Sequence, residues 1–490
     1  MNTYAYYNNR MRQHSHSNAV LSLLAALWGS LLFGLNIGYT APIENTMKDA
    51  SAPEGLYIMD KDFFDLFAAS LLVGCAFGSL LAGQLVQKYG RRLTLVGSTP
   101  AFLVSYILMA TTYQPGVLLC GRFLSGLAVG VCSVTTPMYI AEIAPASLRG
   151  AFGASNQLAI VVGIALAYFL GLLCITDGYC NWRTLTWCYV APTVLLCICM
   201  LLAPESPRFL ASKGKLHQAK LNLQKLRGGE APAEELATLA EIANSRDDIE
   251  VKTSTLVDLS DCRKQLIIGV TLQILQQFSG INAVMFYMTQ LFKEAGFDAG
   301  SLLWSCLTAA LQIFVTLVAC VLMDKVGRRS LLLIGSSGLA LSLLLMGIAI
   351  HIKDALVSAK LGFLFVVAIF GYITFFSIGV GAIPWLILSE IFPDKTRAAA
   401  SAIATTVNWS CAVIITSSMS SMTEAFGMPG LMWFYATFCG ILAAFTFLQV
   451  PETKGRSFEE IQAHFDGATS TKILSAAVTS PGSEVAEEKL

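Results

Sequence analysis

Twelve apolar stretches of about twenty residues constrain this chain more than any other feature. The first six run Ala19–Thr40, Phe64–Val86, Leu93–Thr112, Val117–Ile140, Phe152–Ile175 and Leu185–Ala203. The second six run Leu266–Leu291, Leu302–Met323, Leu331–Ile352, Leu361–Leu388, Ala398–Met422 and Leu431–Val450. As a helix, each is long enough to cross about 30 Å of hydrocarbon, where the backbone must satisfy its own hydrogen bonds. The chain is 55% apolar and only 13% charged, against about 25% charged in soluble domains. The reading is an all-α membrane protein with 12 transmembrane helices.

A polar stretch from Pro204 to about Lys264 separates the two sets of six. Within it, Leu216–Leu226 and Ala233–Ile242 have helical apolar spacing and read as short surface helices. The expected divisions are an N-terminal tail (1–18), a six-helix bundle (19–203), a helical linker (204–264), a second bundle (265–450) and a C-terminal tail (451–490). The last twenty residues, rich in Ser, Thr and Glu, read as disordered. The polar segment Asn2–Asn18 leads into a full-length span, so it does not read as a cleavable signal peptide.

The net charge is zero, which gives no argument for nucleic acid, but its distribution is informative. If the N-terminus is inside, inner connections hold Lys88, Arg91, Arg92, Arg149, Lys325, Arg328, Arg329, Lys395, Arg397, Lys454 and Arg456, besides the basic residues of the linker. The outer connections hold only Lys48, Lys61, Arg183, Lys293, Lys353 and Lys360. That bias predicts both termini in the cytosol. The thirteen cysteines are scattered and mostly apolar in context; a Cys174–Cys180 bridge is the alternative to small core residues. The five histidines are dispersed, so no metal site and no cofactor are expected. No nucleophile–base set argues for an enzyme, and no ring of acidic residues argues for an ion channel.

Three motifs recur in order. Tyr89-Gly90-Arg91-Arg92 matches Val326-Gly327-Arg328-Arg329, Glu142 with Arg149 matches Glu390 with Arg397, and Pro204-Glu205 matches Pro451-Glu452. Their offsets of 237, 248 and 247 residues are close to half the chain. Two six-span repeats in the same orientation are the pattern of major facilitator transporters, with the site at the repeat interface near the midplane.

Gln276-Gln277-Phe278-Ser279-Gly280-Ile281-Asn282 interrupts the seventh span with polar groups. Such groups face protein or water, because each one left unsatisfied in hydrocarbon costs several kcal/mol. Carboxamides donate and accept, which suits a neutral ligand rich in hydroxyls. Gly280 lets the helix bend or unwind between Gln277 and Asn282. The alternative is a polar helix–helix contact, worth about 0.6–2 kcal/mol.

From Ala19 to Phe465 the chain resembles the sugar porters, the major facilitator branch that includes facilitative glucose transporters. The resemblance rests on Gly121-Arg122-Phe123, Pro137-Met138-Tyr139 with Glu142, Pro204-Glu205-Ser206-Pro207-Arg208, the Gln276–Asn282 stretch, Ile383-Pro384-Trp385 and Pro451-Glu452-Thr453-Lys454-Gly455. Gly38-Tyr39-Thr40-Ala41-Pro42 and Ser389-Glu390-Ile391-Phe392-Pro393 look most like the glucose, trehalose and vacuolar-type carriers. The resemblance implies hexose contacts at Gln276, Gln277, Asn282, Trp385 and Asn408, with Gln157 from the first half. It places Gln312 where glucose carriers have an asparagine, and Ser377 where many have a glutamate, so the preferred sugar stays open.

The resemblance further implies an ion-pair gate at the inner ends of the spans, formed by Arg91, Arg92, Glu142, Arg149, Glu205, Arg328, Arg329, Glu390 and Arg397. Solvated charge obeying the positive-inside rule is the plainer alternative. Proton-coupled members carry an aspartate on span one facing an arginine on span four. The matching residues here are Asn36 and Arg122, and asparagine cannot titrate. The expectation is hexose uniport by alternating access. Proton symport, a polyol or trehalose carrier, and a non-transporting nutrient receptor are the other readings. The partners expected are a sugar and the lipid bilayer; a monomer is compatible with all of this. The sequon Asn408-Trp409-Ser410 lies inside a predicted span and should carry no glycan. No clear acidic dileucine signal is found in the tails, which favours the plasma membrane over an internal one.

Overall fold

The computed structural model describes residues 17–48, 61–145, 148–175, 181–244, 262–294, 296–297, 300–355, 359–393, 396–456 and 458–465. The expected Cys174–Cys180 bridge, the C-terminal end read as disordered from its composition and most of the N-terminal tail fall outside them. The described chain is helical throughout and contains eleven helices long and apolar enough to cross a membrane. Ten of these are single spans: Ser17–Ile43, Phe63–Tyr89, Arg91–Thr111, Pro115–Ile143, Gly150–Leu173, Trp182–Leu202, Arg263–Phe286, Ser301–Met323, Arg328–Ile352 and Gly362–Ile391. The eleventh, Arg397–Gln449, has 53 residues and a non-helical Gly427 (φ 69°, ψ 164°). At 1.5 Å per residue it would be far longer than the bilayer is thick, so Gly427 divides it into spans eleven and twelve.

Small residues set how closely the spans approach. A Cβ on Gly34 of span one would lie 1.9 Å from the Ile160 carbonyl oxygen of span five, and one on Gly126 of span four 2.0 Å from the Leu71 oxygen of span two. Backbone contact of this kind replaces the hydrophobic effect as the packing force between helices in lipid. The first six spans pack mainly on one another, and so do the last six. The two groups meet along two seams. Span two lies on span eleven, where the Ser79 and Thr406 hydroxyls are 2.9 Å apart. Span five lies on span eight, where Cys320 donates to the Ala154 carbonyl at 3.8 Å.

Between the two sets, helices Pro207–Ser212, Leu216–Arg227 and Ala233–Asn244 enclose a small core of Phe209, Leu210, Ala219, Leu223 and Leu239. Gly228, at φ 71°, ends the second of them. Arg227 fastens this unit to the end of span four, donating to the carbonyls of Ile143 (3.0 Å) and Ala144 (3.3 Å) and pairing with Glu235 (3.0 Å). The end of the bundle carrying these helices and the start of span one is called the near side, and the opposite end the far side. A further helix, Phe458–Phe465, follows the last span on the near side. No apolar run announced it.

Candidate functional site

Span seven breaks in its middle. Its first helix, Arg263–Phe278, ends where Gly280 takes a left-handed conformation (φ 85°), and a second, Ile281–Phe286, begins. A side chain at 280 is excluded twice, by that φ and by the Tyr435 ring 2.5 Å from where a Cβ would sit. Tyr372 donates to the Ser279 carbonyl at 3.1 Å, holding the break from span ten. The turn brings Asn282 back toward Gln277, and its amide donates to Gln277 Oε1 at 2.6 Å.

Asn408 of span eleven completes a ring of amides. Its Oδ1 accepts from Gln277 at 3.0 Å, and its Nδ2 donates to Gln273 Oε1 (2.6 Å) and Gln276 Oε1 (3.1 Å). Gln276 in turn donates to the Val380 carbonyl at 2.7 Å and the Gly381 carbonyl at 3.2 Å. Those carbonyls stand at a second break, where span ten passes through the π-helical turn Phe376–Val380 before restarting at Ile383–Ile391 with Pro384 near its start. Backbone groups freed by a break in a span must find partners inside the protein, and here a side-chain amide supplies them.

The two breaks face a cavity of about 80 Å³ between the two sets of spans, room for a few waters in this conformation. Gln157, Gln276, Gln277, Asn282, Gln312, Trp385 and Asn408 all line it. Ser30, Asn156, Ser133 and Trp409 line it too, with Phe33, Ile37, Ile160, Ile164 and Met285 as apolar wall. No Asp, Glu, Lys, Arg or His reaches it among the described residues. Gln312 is buried and its Oε1 accepts no hydrogen bond. An acceptor so placed costs about 1–3 kcal/mol unless a donor is brought to it. The arrangement can bind an uncharged molecule bearing several hydroxyls, with Trp385 and Trp409 as flat apolar surfaces. Ser377 does not line the cavity; its hydroxyl donates to the Ile373 carbonyl of its own helix at 2.8 Å. Asn408 of the sequon is fully buried with both amide atoms engaged.

Asn36 and Arg122 lie together outside the cavity lining, joined through the backbone. Arg122 is fully buried and donates to the Asn36 carbonyl at 3.0 Å and the Thr40 hydroxyl at 2.7 Å. Its guanidinium lies 5.2 Å from the ring centres of both Tyr39 and Phe67. The Asn36 amide donates to Tyr106 and the Leu32 carbonyl, each at 2.8 Å. No carboxylate pairs with Arg122 among the described residues; hydroxyl, carbonyl and aromatic faces stabilise the cation instead.

On the near side the two halves repeat one construction. Arg91 pairs with Glu142 at 2.6 Å, and Arg328 with Glu390 at 3.4 Å. Ser206 donates to Glu142 and Thr453 to Glu390. Glu205 accepts from the backbone N–H groups of Arg91 (3.1 Å) and Arg92 (3.2 Å), as Glu452 does from those of Arg328 (2.9 Å) and Arg329 (3.1 Å). Burial pushes the Glu205 carboxyl above its usual range, against the pull of the N–H groups of Ser206, Arg92 and Arg91. The side chains of Arg92 and Arg329 bond carbonyls, Met200 and Leu201 for one and Phe447 for the other. Arg397 donates to the Phe392 carbonyl at 3.1 Å. The Arg149 side chain lies outside the described residues. The ion pairs seen here each join spans of one half.

On the far side, Asp65 of span two bridges the halves. One carboxylate oxygen accepts from Tyr287, after the break in span seven, and the other from Ser420 of span eleven at 2.7 Å. Tyr168 of span five adds a bond to the Met285 carbonyl at 2.7 Å. Sequence reading passed over Asp65, Gln273, Trp409 and Glu452 as site residues. Gln273 stands one helical turn before Gln277 and Asp65 is a carboxylate at the edge of an apolar run, so both carried a signal. Trp409, which donates to Ser133 across the halves at 3.3 Å, carried none.

A family model described as "Sugar (and other) transporter" matches residues 21–465. The chain is 34% identical over 465 residues to the mouse protein "Solute carrier family 2, facilitated glucose transporter member 8", covering 91% of this chain and 94% of that one. It is 33% identical to the Arabidopsis thaliana "Sugar transporter ERD6-like 16", covering 92% and 91%. It is also 33% identical to the Aedes aegypti "Facilitated trehalose transporter Tret1", covering 91% of this chain and 55% of the relative. Among solved structures, the major facilitator proton:xylose symporter XylE bound to 6-bromo-6-deoxy-D-glucose superposes with a TM-score of 0.79 at 29% identity, covering 91% of this chain and 99% of that one. A partially occluded inward open form of XylE from E. coli gives 0.74 at 27% identity, covering 90% and 100%.

Proposed function

The chain belongs to the sugar transporter family of the major facilitator superfamily, and from that premise we propose that it is a uniporter of hexoses such as glucose, working by alternating access. It is a multi-pass membrane protein that carries sugar across the membrane and is not an enzyme. The observation that carries the finer reading is the central cavity, lined by nine amide- or indole-bearing side chains from both halves and by no charged group among the described residues. Gln157, Gln276, Gln277, Asn282, Gln312 and Asn408 meet the hydroxyls, and Trp385 covers the apolar face of the ring. An epimer that moves one hydroxyl strands a buried amide, at about 1–3 kcal/mol.

Transport follows from rocking the halves about this cavity. The hydrogen bonds of Asp65 and Tyr168 shut the far side in this conformation, which the positive-inside distribution makes the outer side, with both termini cytosolic. The surface membrane is the assigned location. At the near rim, the Arg–Glu pairs bind spans three to four and nine to ten so that each half moves as a body. When the far side opens, these charges, with Arg149 and Arg397, come together across the halves as the inner gate. Directional but hydrated ion pairs are weak enough for that exchange.

Uniport rests on Asn36. A carboxylate at this position would gain and lose a proton beside Arg122; the amide cannot, and Arg122 is held by groups that do not titrate near neutrality. The test is flux of labelled glucose into proteoliposomes with and without an inward proton gradient. Uniport gives equilibration at the same final level in both. Accumulation above equilibrium, abolished by an uncoupler, would establish symport instead. Competition by fructose, galactose, inositol and trehalose ranks the substrates, and trehalose outcompeting glucose would replace the hexose assignment.

A further inference from the structure

A second cavity lies away from the transport path, on the near side, and no step of transport uses it. It is a cleft of about 810 Å³ between the first turns of span one, the last turn of span six and helix Leu216–Arg227. Along span one its wall runs from Asn18 to Trp28. Ten residues of helix rise about 15 Å, half the hydrocarbon thickness, so the cleft is one leaflet deep. Its polarity is graded in the same direction. Asn18, Gln218, Asn222 and Lys225 stand at the mouth, and Leu21, Leu24, Ala25 and Trp28 line the depth. Leu24 and Leu202 on its walls are 52% and 82% exposed, so the cleft opens sideways toward lipid.

The charge at the mouth is positive. Arg92 and Lys225 line it, and neither has a carboxylate in ion-pair range among the described residues. The one acid in the wall, Glu205, is occupied by the N–H groups of Arg91, Arg92 and Ser206. The Arg92 guanidinium donates to the Met200 and Leu201 carbonyls and to no carboxylate among the described residues. A phosphodiester oxygen is the acceptor that suits such a group. The geometry points to a site for one anionic phospholipid, its headgroup between Arg92 and Lys225 and an acyl chain along Leu21, Leu24 and Trp28. Bound there, the lipid ties span one to span six and to the linker helices next to the near rim, and so favours transport. The dependence on the transporter reading is confined to that last effect.

Full-length protein is purified in detergent and offered phosphatidylserine or phosphatidylcholine with identical chains, and retained lipid is counted by native mass spectrometry. Preferential retention of phosphatidylserine is expected, and Lys225→Gln should reduce the preference about fivefold. Lys220→Gln, an exposed cation outside the cleft, should leave it unchanged. Leu24→Trp fills the depth and should abolish retention of either lipid; Leu21→Trp serves if that variant does not fold. Equal retention of the two lipids by the wild type, or equal loss in the Lys225 and Lys220 variants, overturns the site. Sugar flux is then measured in vesicles with and without phosphatidylserine, and stimulation should disappear with Lys225→Gln. Lipid retention without any flux leaves the cleft standing and removes the transport reading.

Discussion

The two halves share a rim and differ in the middle. At the near side, Arg91, Glu142, Glu205 and Ser206 are answered atom for atom by Arg328, Glu390, Glu452 and Thr453. Half a span deeper, the likeness ends. The first half has a closed aromatic and cationic core of Asn36, Tyr39, Tyr106 and Arg122, built on spans packed closely through glycine, with only single-residue interruptions at Tyr39 and Tyr189. The second half has two broken spans and a ring of amides facing the cavity. The rim must do the same job in both halves, so its chemistry is duplicated. On the function proposed above, the middle holds one ligand, gripped by one half and framed by the other.

The sharpest way to break this contrast is Asn408→Leu. It leaves Gln273, Gln276 and Gln277 without their common partner, each at about 1–3 kcal/mol, and uptake by protein that reaches the membrane should fall about a hundredfold or more. Retained uptake would show that the ring is structural and not a grip. Gly280→Ala comes next. Forcing a side chain into φ 85° against Tyr435 costs about 1–3 kcal/mol, read as a lower melting temperature and about tenfold slower uptake.

The rim makes a matched prediction. Glu142→Gln and Glu390→Gln should each slow transport by about tenfold while leaving sugar binding from the far side intact. A defect in only one of the pair would mean that the duplication is inherited and not used. Gln157→Ala, on the framing side, should cost less than the same change at Gln277, about threefold to tenfold in apparent affinity with little change in maximal rate. The smallest effect on rate is expected from Asn36→Asp. Uptake at neutral pH should change about twofold, but should acquire a dependence on the pH of the far side that the parent lacks. A variant as insensitive to pH as the parent would remove this position from the coupling argument.

The membrane architecture was legible because hydrocarbon permits so few solutions: run length gave the spans, including the division of Arg397–Gln449 that Gly427 and the following proline mark. The amide positions were legible because polar groups in a span need a reason, and Gln276, Gln277 and Asn282 had three within seven residues. The partners of these groups were not. That Asn282 folds back on Gln277, and that Gln276 serves the carbonyls of span ten, depends on a backbone reversal and a π turn whose shape no spacing rule conveys. The rim was half legible. Repetition exposed its charged residues, yet Glu205 and Glu452 bind backbone N–H groups, and the Arg92 and Arg329 side chains bind carbonyls, contacts that a list of opposite charges does not suggest.

Asp65 has a kinetic implication. Its two oxygens are held by hydroxyls on different spans, Tyr287 on one and Ser420 on the other. Withdrawing span two therefore frees both at one stroke, and neither can swing clear while the other still clings. A bolt shared by two catches leaves little room for an ajar position, so the far-side vestibule should snap between shut and open once the Tyr168 bond has also parted.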